Sequence, residues 1–209
     1  MGSKIIASIA EYYSEKIIRH GQTPQGVDWN SAASQELRFC QLAKIIASPS
    51  EPFSILDLGC GYGAMVDYLA AHYPSFSFTG YDVSSEMVDA AQTRYGRQSN
   101  IEFVRGDSPQ QEVDYAVASG IFNVRLRHDS SSWEAYVQET LAKLHRTSRR
   151  GFAFNMLTSY SDVHRMRDDL YYAHPMTYFD LCKRSFSQHV ALLHDYGLYE
   201  FTILVRKTL

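Results

Sequence analysis

Along this chain the spacing of apolar residues switches repeatedly between the pattern of a buried strand and that of a helix with one apolar face. Residues 4–19 carry Ile5, Ile9, Tyr12, Tyr13 and Ile17 on or near one face, which predicts an amphipathic helix ended by His20-Gly21. Residues 22–26 read as a turn-rich loop, and Ser31 as the cap of a second helix running to about Ala47, stopped by Pro49 and Pro52. Short apolar runs then predict strands at 53–58, 76–81, 101–104, 113–119 and 151–156. Between them the helical period predicts helices at 64–72, 85–95 and 132–146. A polar, tyrosine-rich segment covers 158–177, and a short helix at 178–183 leads to a closing hairpin, 188–193 and 198–205, turned by His194-Asp195-Tyr196-Gly197. Strands that alternate with helices imply an α/β fold, a mostly parallel sheet with helices on both faces, and the final hairpin makes one strand antiparallel.

The first of these strands stops in Gly59-Cys60-Gly61-Tyr62-Gly63. Three glycines at alternate positions let the backbone bend tightly and let a ligand approach without meeting a Cβ. The helix that follows points its N-terminus at that ligand. Asp82 ends the second strand, about twenty residues on, where an acid is placed to hold ribose hydroxyls. Gly59-x-Gly61-x-x-Ala64 also satisfies the degenerate dinucleotide-binding pattern, so the loop alone leaves a nicotinamide enzyme as the rival. Asp57 separates the two readings. A carboxylate just before the loop suits a cationic amino or sulfonium group and repels a pyrophosphate.

Leu56-Asp57-Leu58-Gly59-Cys60-Gly61-Tyr62-Gly63, then Gly80-Tyr81-Asp82-Val83-Ser84, then Val104-Arg105-Gly106-Asp107 resemble the nucleotide-binding half of class I S-adenosylmethionine-dependent methyltransferases. The likeness runs from Phe53 to the C-terminus and concerns the cofactor, not the methyl acceptor. It implies a Rossmann-like seven-stranded sheet of order 3-2-1-4-5-7-6 with strand seven reversed, and S-adenosylmethionine as methyl donor. It also implies a cofactor site made by Asp57, Gly59, Gly61, Gly63, Asp82, Val83, Met87, Asp107, Ser108 and Ser119, with Asp107 accepting from the adenine amino group. Residues 1–52 become a helical lid and cap on a methyltransferase domain at 53–209, with Trp29 either a lid over the cofactor or a packing residue. Ser119-Gly120-Ile121-Phe122 lacks the two prolines that base-modifying members of the family carry after strand four, which argues against nucleobase acceptors.

Composition narrows the picture a little further. The 209 residues carry a formal net charge of −3, which gives no electrostatic footprint for nucleic acid. Three widely spaced cysteines without a C-x-x-C pair suggest reduced thiols in a cytoplasmic protein and no metal site. No apolar run is long enough to span a membrane.

The acceptor side rests on topology. Ligands of an open α/β sheet bind beyond the carboxyl ends of its parallel strands. That selects Asn123 and Arg125 after the fourth strand, Asn155, Tyr160 and Tyr172 after the fifth, and Asp195 and Tyr196 at the hairpin tip, beside Trp29. Tyrosines suit a small-molecule pocket, each offering an apolar face and one hydroxyl. An O- or N-acceptor that must lose a proton favours a nearby base, and His194 has the best position, with His20, His128 and His174 left open. The expected function is methyl transfer to O or N of a polar small molecule, such as a sugar or biosynthetic intermediate. The alternative from another class is a non-catalytic protein that binds the cofactor.

Overall fold

The computed structural model describes residues 2–207. Its elements in chain order are α1 (Gly2–His20), α2 (Ala32–Ala43), β1 (Phe53–Leu58), α3 (Ala64–His72), β2 (Phe76–Asp82), α4 (Ser85–Tyr95), β3 (Ile101–Arg105), β4 (Val113–Ala118), α5 (Ser130–Thr147), β5 (Ser148–Leu157), α6 (Pro175–Ser185), β6 (His189–Leu193) and β7 (Glu200–Arg206). The strands form one sheet of order β3-β2-β1-β4-β5-β7-β6. Neighbours are parallel up to β5, and β7 runs antiparallel to both β5 and β6. This is the Rossmann-like order the motifs imply.

The sheet is buried on both faces, so its central strands are apolar at consecutive positions. Alternation still sorts the residues. On β4, Ala116 and Ala118 join one core with Trp133, Val137 and Leu141 of α5 and Tyr178 of α6. Tyr115 and Val117 join the other, with Phe39 and Leu42 of α2, Met65 and Leu69 of α3 and Val88 of α4. Ile5 and Ile9 of α1 enter the first core, so both N-terminal helices share cores with the sheet.

Boundaries move where a local interaction overrides the period. The second helix ends at Ala43, short of the expected Ala47. Tightened turns from Ile45 to Leu42 and from Ile46 to Ala43 end it and tuck both isoleucines into the core. Helix α5 begins at Ser130 because Asp129 caps it, accepting from the Ser132 N–H at 2.9 Å. Helix α6 begins at Pro175, whose missing N–H and fixed φ suit a first turn. Among the described residues, no helix is long and apolar enough to cross a membrane.

Candidate functional site

The glycine turn hangs from the end of β2. The N–H groups of Gly59 and Cys60 both donate to the Tyr81 carbonyl, at 2.7 and 3.0 Å. The Gly61 N–H donates to Asp82 Oδ2 at 2.8 Å, and the Ser84 N–H to Oδ1 at 2.9 Å. Gly59, Gly61 and Gly63 have φ of 79°, 56° and 83°, a region other residues enter at a cost. A Cβ on Gly59 would lie 2.1 Å from Ile121 Cγ2, and one on Gly61 2.8 Å from Val27 Cγ1. The turn therefore needs glycine for its backbone and for the close approach of its neighbours.

Beside this turn lies a cleft lined by Asp57, Gly59, Gly61, Asp82, Val83, Met87, Asp107 and Ser119 from the strand ends. Gly63 and Ser108, expected in the same site, do not line it; Ser108 is exposed, and Gly63 packs against Phe103 and Tyr95. Residues that local reading missed complete the wall. Tyr13 comes from α1, Gln35 and Phe39 from α2, and Tyr136, Thr140 and Lys143 from α5. Each belongs to a helix remote in sequence from the glycine turn, and no local motif marks it.

The electrostatics of the cleft are those of a cation site. Asp57 is buried and its Oδ1 has no hydrogen-bond partner in the protein. Burial, and then the charge of Asp82, push its carboxyl up to about 7. Burial raises the Asp82 carboxyl too, opposed by its backbone N–H donors. At the far end burial would raise Asp107, but the Lys143 ammonium, 2.5 Å from Oδ2, outweighs it and holds the carboxyl below the usual range. A glycine-cradled cleft with an orphaned buried carboxylate oxygen fits S-adenosylmethionine, which brings an ammonium and a sulfonium, far better than a pyrophosphate.

A second cavity adjoins the cleft and shares Tyr13, Val27 and Trp29 with it. Its further lining includes Arg38, Asn123, Arg165, Arg167, Tyr172, Tyr199 and Glu200. Trp29 is the partition. The Arg38 guanidinium lies 3.8 Å from its ring centroid. On Gly120, a Cβ would lie 2.3 Å from the indole Cη2. Asp28, in the left-handed region at φ 62°, holds the turn before Trp29 and accepts from Lys16 at 2.5 Å and Tyr12 at 2.8 Å. Arg38 in turn donates to both carboxylate oxygens of Glu200, its Nη2 at 2.6 Å, and both side chains are buried. Trp29 thus lines both cavities while packing against Arg38 and the Gly120 backbone.

Two asparagines tie the β4 loop to the end of β5. Asn155 Oδ1 accepts from the Gly120 N–H at 2.7 Å, and Asn123 Oδ1 from the Leu157 N–H at 3.0 Å. Only Asn123 lines the second cavity; Asn155, expected after the fifth strand, lies within β5 and is fully buried behind the loop.

Other candidates lie elsewhere. Arg125 donates to Ser130 and to the Asp168 carbonyl, clamping two loops outside both cavities. Tyr160 is exposed, its ring against His174 and His194. His194 and Asp195 are exposed, and Tyr196 turns back to Thr202, hydroxyl to hydroxyl at 2.9 Å. The hairpin does reach the second cavity, but through Tyr199 and Glu200 on its returning side, not through its tip. Three residues past the tip, at Glu200, pairing with β5 begins and directs the chain inward. His20 is exposed, His128 contacts Ser8 Oγ at 2.7 Å, and none of the eight histidines lines either cavity among the described residues.

A methyltransferase-domain family model matches residues 55–151. The chain is 59% identical over 162 residues to the Mycobacterium tuberculosis protein named "Putative methyltransferase Rv1506c", covering 78% of this chain and 98% of that one. It is 28% identical over 133 residues to a malonyl-[acyl-carrier protein] O-methyltransferase of Paenibacillus sp., covering 61% of this chain and 47% of the relative. The crystal structure of magnesium protoporphyrin IX methyltransferase from Synechocystis, with bound S-adenosylhomocysteine, superposes with a TM-score of 0.66 at 13% identity, over 97% of this chain and 99% of that one. Identity of 59% across nearly the whole length of that Mycobacterium tuberculosis relative and a shared sheet order converge with the motifs: this chain belongs to the class I S-adenosylmethionine-dependent methyltransferase family.

Proposed function

We propose that the protein transfers the methyl group of S-adenosylmethionine to an oxygen or nitrogen of a polar small molecule by direct displacement. The observation that carries this reading is the pair of adjoining cavities that meet at Tyr13, Val27 and Trp29. One offers buried acids to a cationic nucleoside, and the other is lined by polar side chains. When bound, S-adenosylmethionine supplies an electrophilic methyl and a neutral thioether leaving group. Asp57 would meet its ammonium, and Asp82, whose oxygens keep lone pairs beyond the Gly61 and Ser84 donors, the ribose hydroxyls. Met87 and Val83 offer apolar contact for the adenine, and Asp107 a hydrogen-bond acceptor. Asn123, Tyr172 and Trp29 would face the acceptor.

The protein's work in such a reaction is alignment and exclusion of water. Holding acceptor and methyl in line contributes roughly 7–11 kcal/mol in well-oriented systems. Residues 2–43, folded across both cavities through Tyr13, Trp29 and Arg38, act in this reading as a lid and cap. The Paenibacillus relative's name gives oxygen as its acceptor atom, which supports an O-acceptor here. The reading is tested by calorimetry with S-adenosylhomocysteine and with NAD. S-adenosylhomocysteine should bind, and Asp82→Ala should weaken it by roughly 1.5–3 kcal/mol, the range for hydrogen bonds to a charged group. Binding of NAD without any response to S-adenosylhomocysteine would refute it.

A further inference from the structure

We propose that the group methylated is a carboxylate, seated in the second cavity with the Asn123 amide at its floor and Arg165 at its mouth. This rests on the function proposed above and narrows its acceptor to one chemical class.

The second cavity is poor in free bases. An alcohol or an ammonium must lose a proton before or during attack, and needs a group to take it. No histidine lines either cavity among the described residues. The two carboxylates in the second cavity are both committed to cations, Asp28 to Lys16 at 2.5 Å and Glu200 to Arg38 at 2.6 Å. Tyr13, at the junction, is held protonated by burial and by the charge of Asp28. Asp57 and Asp82 lie in the cofactor cleft and do not line the second cavity. A carboxylic acid with an ordinary pKa of about 4 is already ionised at neutral pH and asks for no base.

The same cavity holds an excess of donors. Asn123, a residue 4% exposed, lines the cavity, and its buried Nδ2 has no hydrogen-bond partner in the protein. The Leu157 N–H occupies Oδ1, so the free end of this amide is its NH₂. Of the three arginines in the lining, Arg38 is bound by Glu200, and Arg167 pairs with Asp169 through Nε at 3.0 Å and Nη2 at 2.5 Å. Arg165 is the least engaged. Its Nε is 3.9 Å from Asp162, and its guanidinium lies 5.6 Å from the Tyr199 ring. An amide whose unused end only donates and a guanidinium held by one long ion pair call for a group that only accepts, and an ionised carboxylate does only that.

The step balances without a proton. A carboxylate oxygen attacks the sulfonium methyl carbon, the C–O bond forms as the S–C bond breaks, and the electron pair stays on sulfur. The products are a methyl ester and S-adenosylhomocysteine.

The test uses S-adenosylmethionine labelled in its methyl group, the intact protein, and the probes malonate, citrate and octanoate. Ethanolamine, glycerol and glucose 6-phosphate serve as amine, alcohol and phosphate counterparts. The expected product is a labelled ester from at least one carboxylate, released as methanol by mild base. At saturating cofactor, kcat/KM for that acceptor should stay flat from pH about 6 to about 9. Arg165→Gln, on an exposed turn, should raise its KM roughly tenfold or more with kcat nearly kept, and Arg165→Lys should recover part of that. Label that resists base, transfer to no carboxylate of the set, a rate that climbs steadily with pH, or an unchanged KM in Arg165→Gln would each overturn the proposal. If S-adenosylhomocysteine binds while no carboxylate is labelled, this inference fails and the methyltransferase reading stands. If S-adenosylhomocysteine does not bind, both fall.

Discussion

At the scale of single residues, Asp57 shows what burial at a strand end does to a carboxyl. Burial raises its carboxyl to about 7, because the charged form loses water and faces Asp82. The sign follows. A carboxyl raised in the folded state favours the protonated form there. It adds stability fully present below its unfolded pKa of about 4 and lost as pH climbs through about 7. A bound ammonium reverses that preference, so cofactor affinity should rise as pH goes from about 6 to about 7.5. Binding near pH 7 should release a proton. Calorimetry of S-adenosylhomocysteine in two buffers of different ionisation heat measures the release, and Asp57→Asn should abolish it and weaken binding. Affinity independent of pH, with no proton released, would show that Asp57 does not meet the ammonium. The type and place of this residue were legible in the sequence, because a carboxylate directly before a glycine turn carries its meaning locally. That its Oδ1 is left unpartnered was not, since this depends on every chain that packs above it.

At the scale of elements, the loop after β4 and the turn before α2 are fitted to each other. Gly120, at φ 75°, leaves room that the Trp29 indole fills, and Asn155 fixes the same loop from behind. Gly120→Ala adds left-handed strain of roughly 1–2 kcal/mol and a Cβ that would meet Trp29 at 2.3 Å. The indole must move. The variant should fold and show altered emission from Trp29, because the other tryptophan, Trp133, is fully buried and anchored to the Phe122 carbonyl. Turnover should fall by on the order of 10²-fold, the penalty for a misplacement of about 1 Å. A folded Gly120→Ala with parental emission and kinetics would remove Trp29 from the partition. The hairpin illustrates the complementary lesson. Its existence and its reach to the cofactor's side were legible from alternation and turn residues. The polar tip with His194 lines neither cavity, because strand pairing turns Tyr199 and Glu200, and not the tip, toward the second one.

At the scale of the whole molecule, Arg38 and Glu200 join the N-terminal segment to the far half of the sheet. They lie 162 residues apart in sequence and both are buried. A buried pair of this kind stabilises little relative to apolar replacements, but breaking it strands a charge at a cost of about 3–5 kcal/mol. Arg38→Met should therefore lower Tm by on the order of 10 °C in a chain of this size, while Arg38→Met with Glu200→Met should recover much of the loss. Equal melting temperatures for Arg38→Met and the parent would show that the pair carries no such role. Exposed pairs such as Arg184–Asp180 serve as controls, since removing them should cost under about 1 kcal/mol.

The sheet, the position of the glycine turn and the acids beside it were all legible in the amino-acid order. Those features are written in periods of two and 3.6 and in residues whose backbone demands are local. The bounds of β1, α3 and α4 follow from the chain without help. Which side chains line the second cavity follows only from how distant elements pack. Arg38, Tyr13, Arg165 and Glu200 come from four separate elements or turns, and none has a neighbour in sequence that announces its role. A cofactor shared by a family leaves a local motif, because the backbone itself must bend around it. A wall assembled from distant helices, a short turn and a returning strand exists only once the sheet has set where their ends meet.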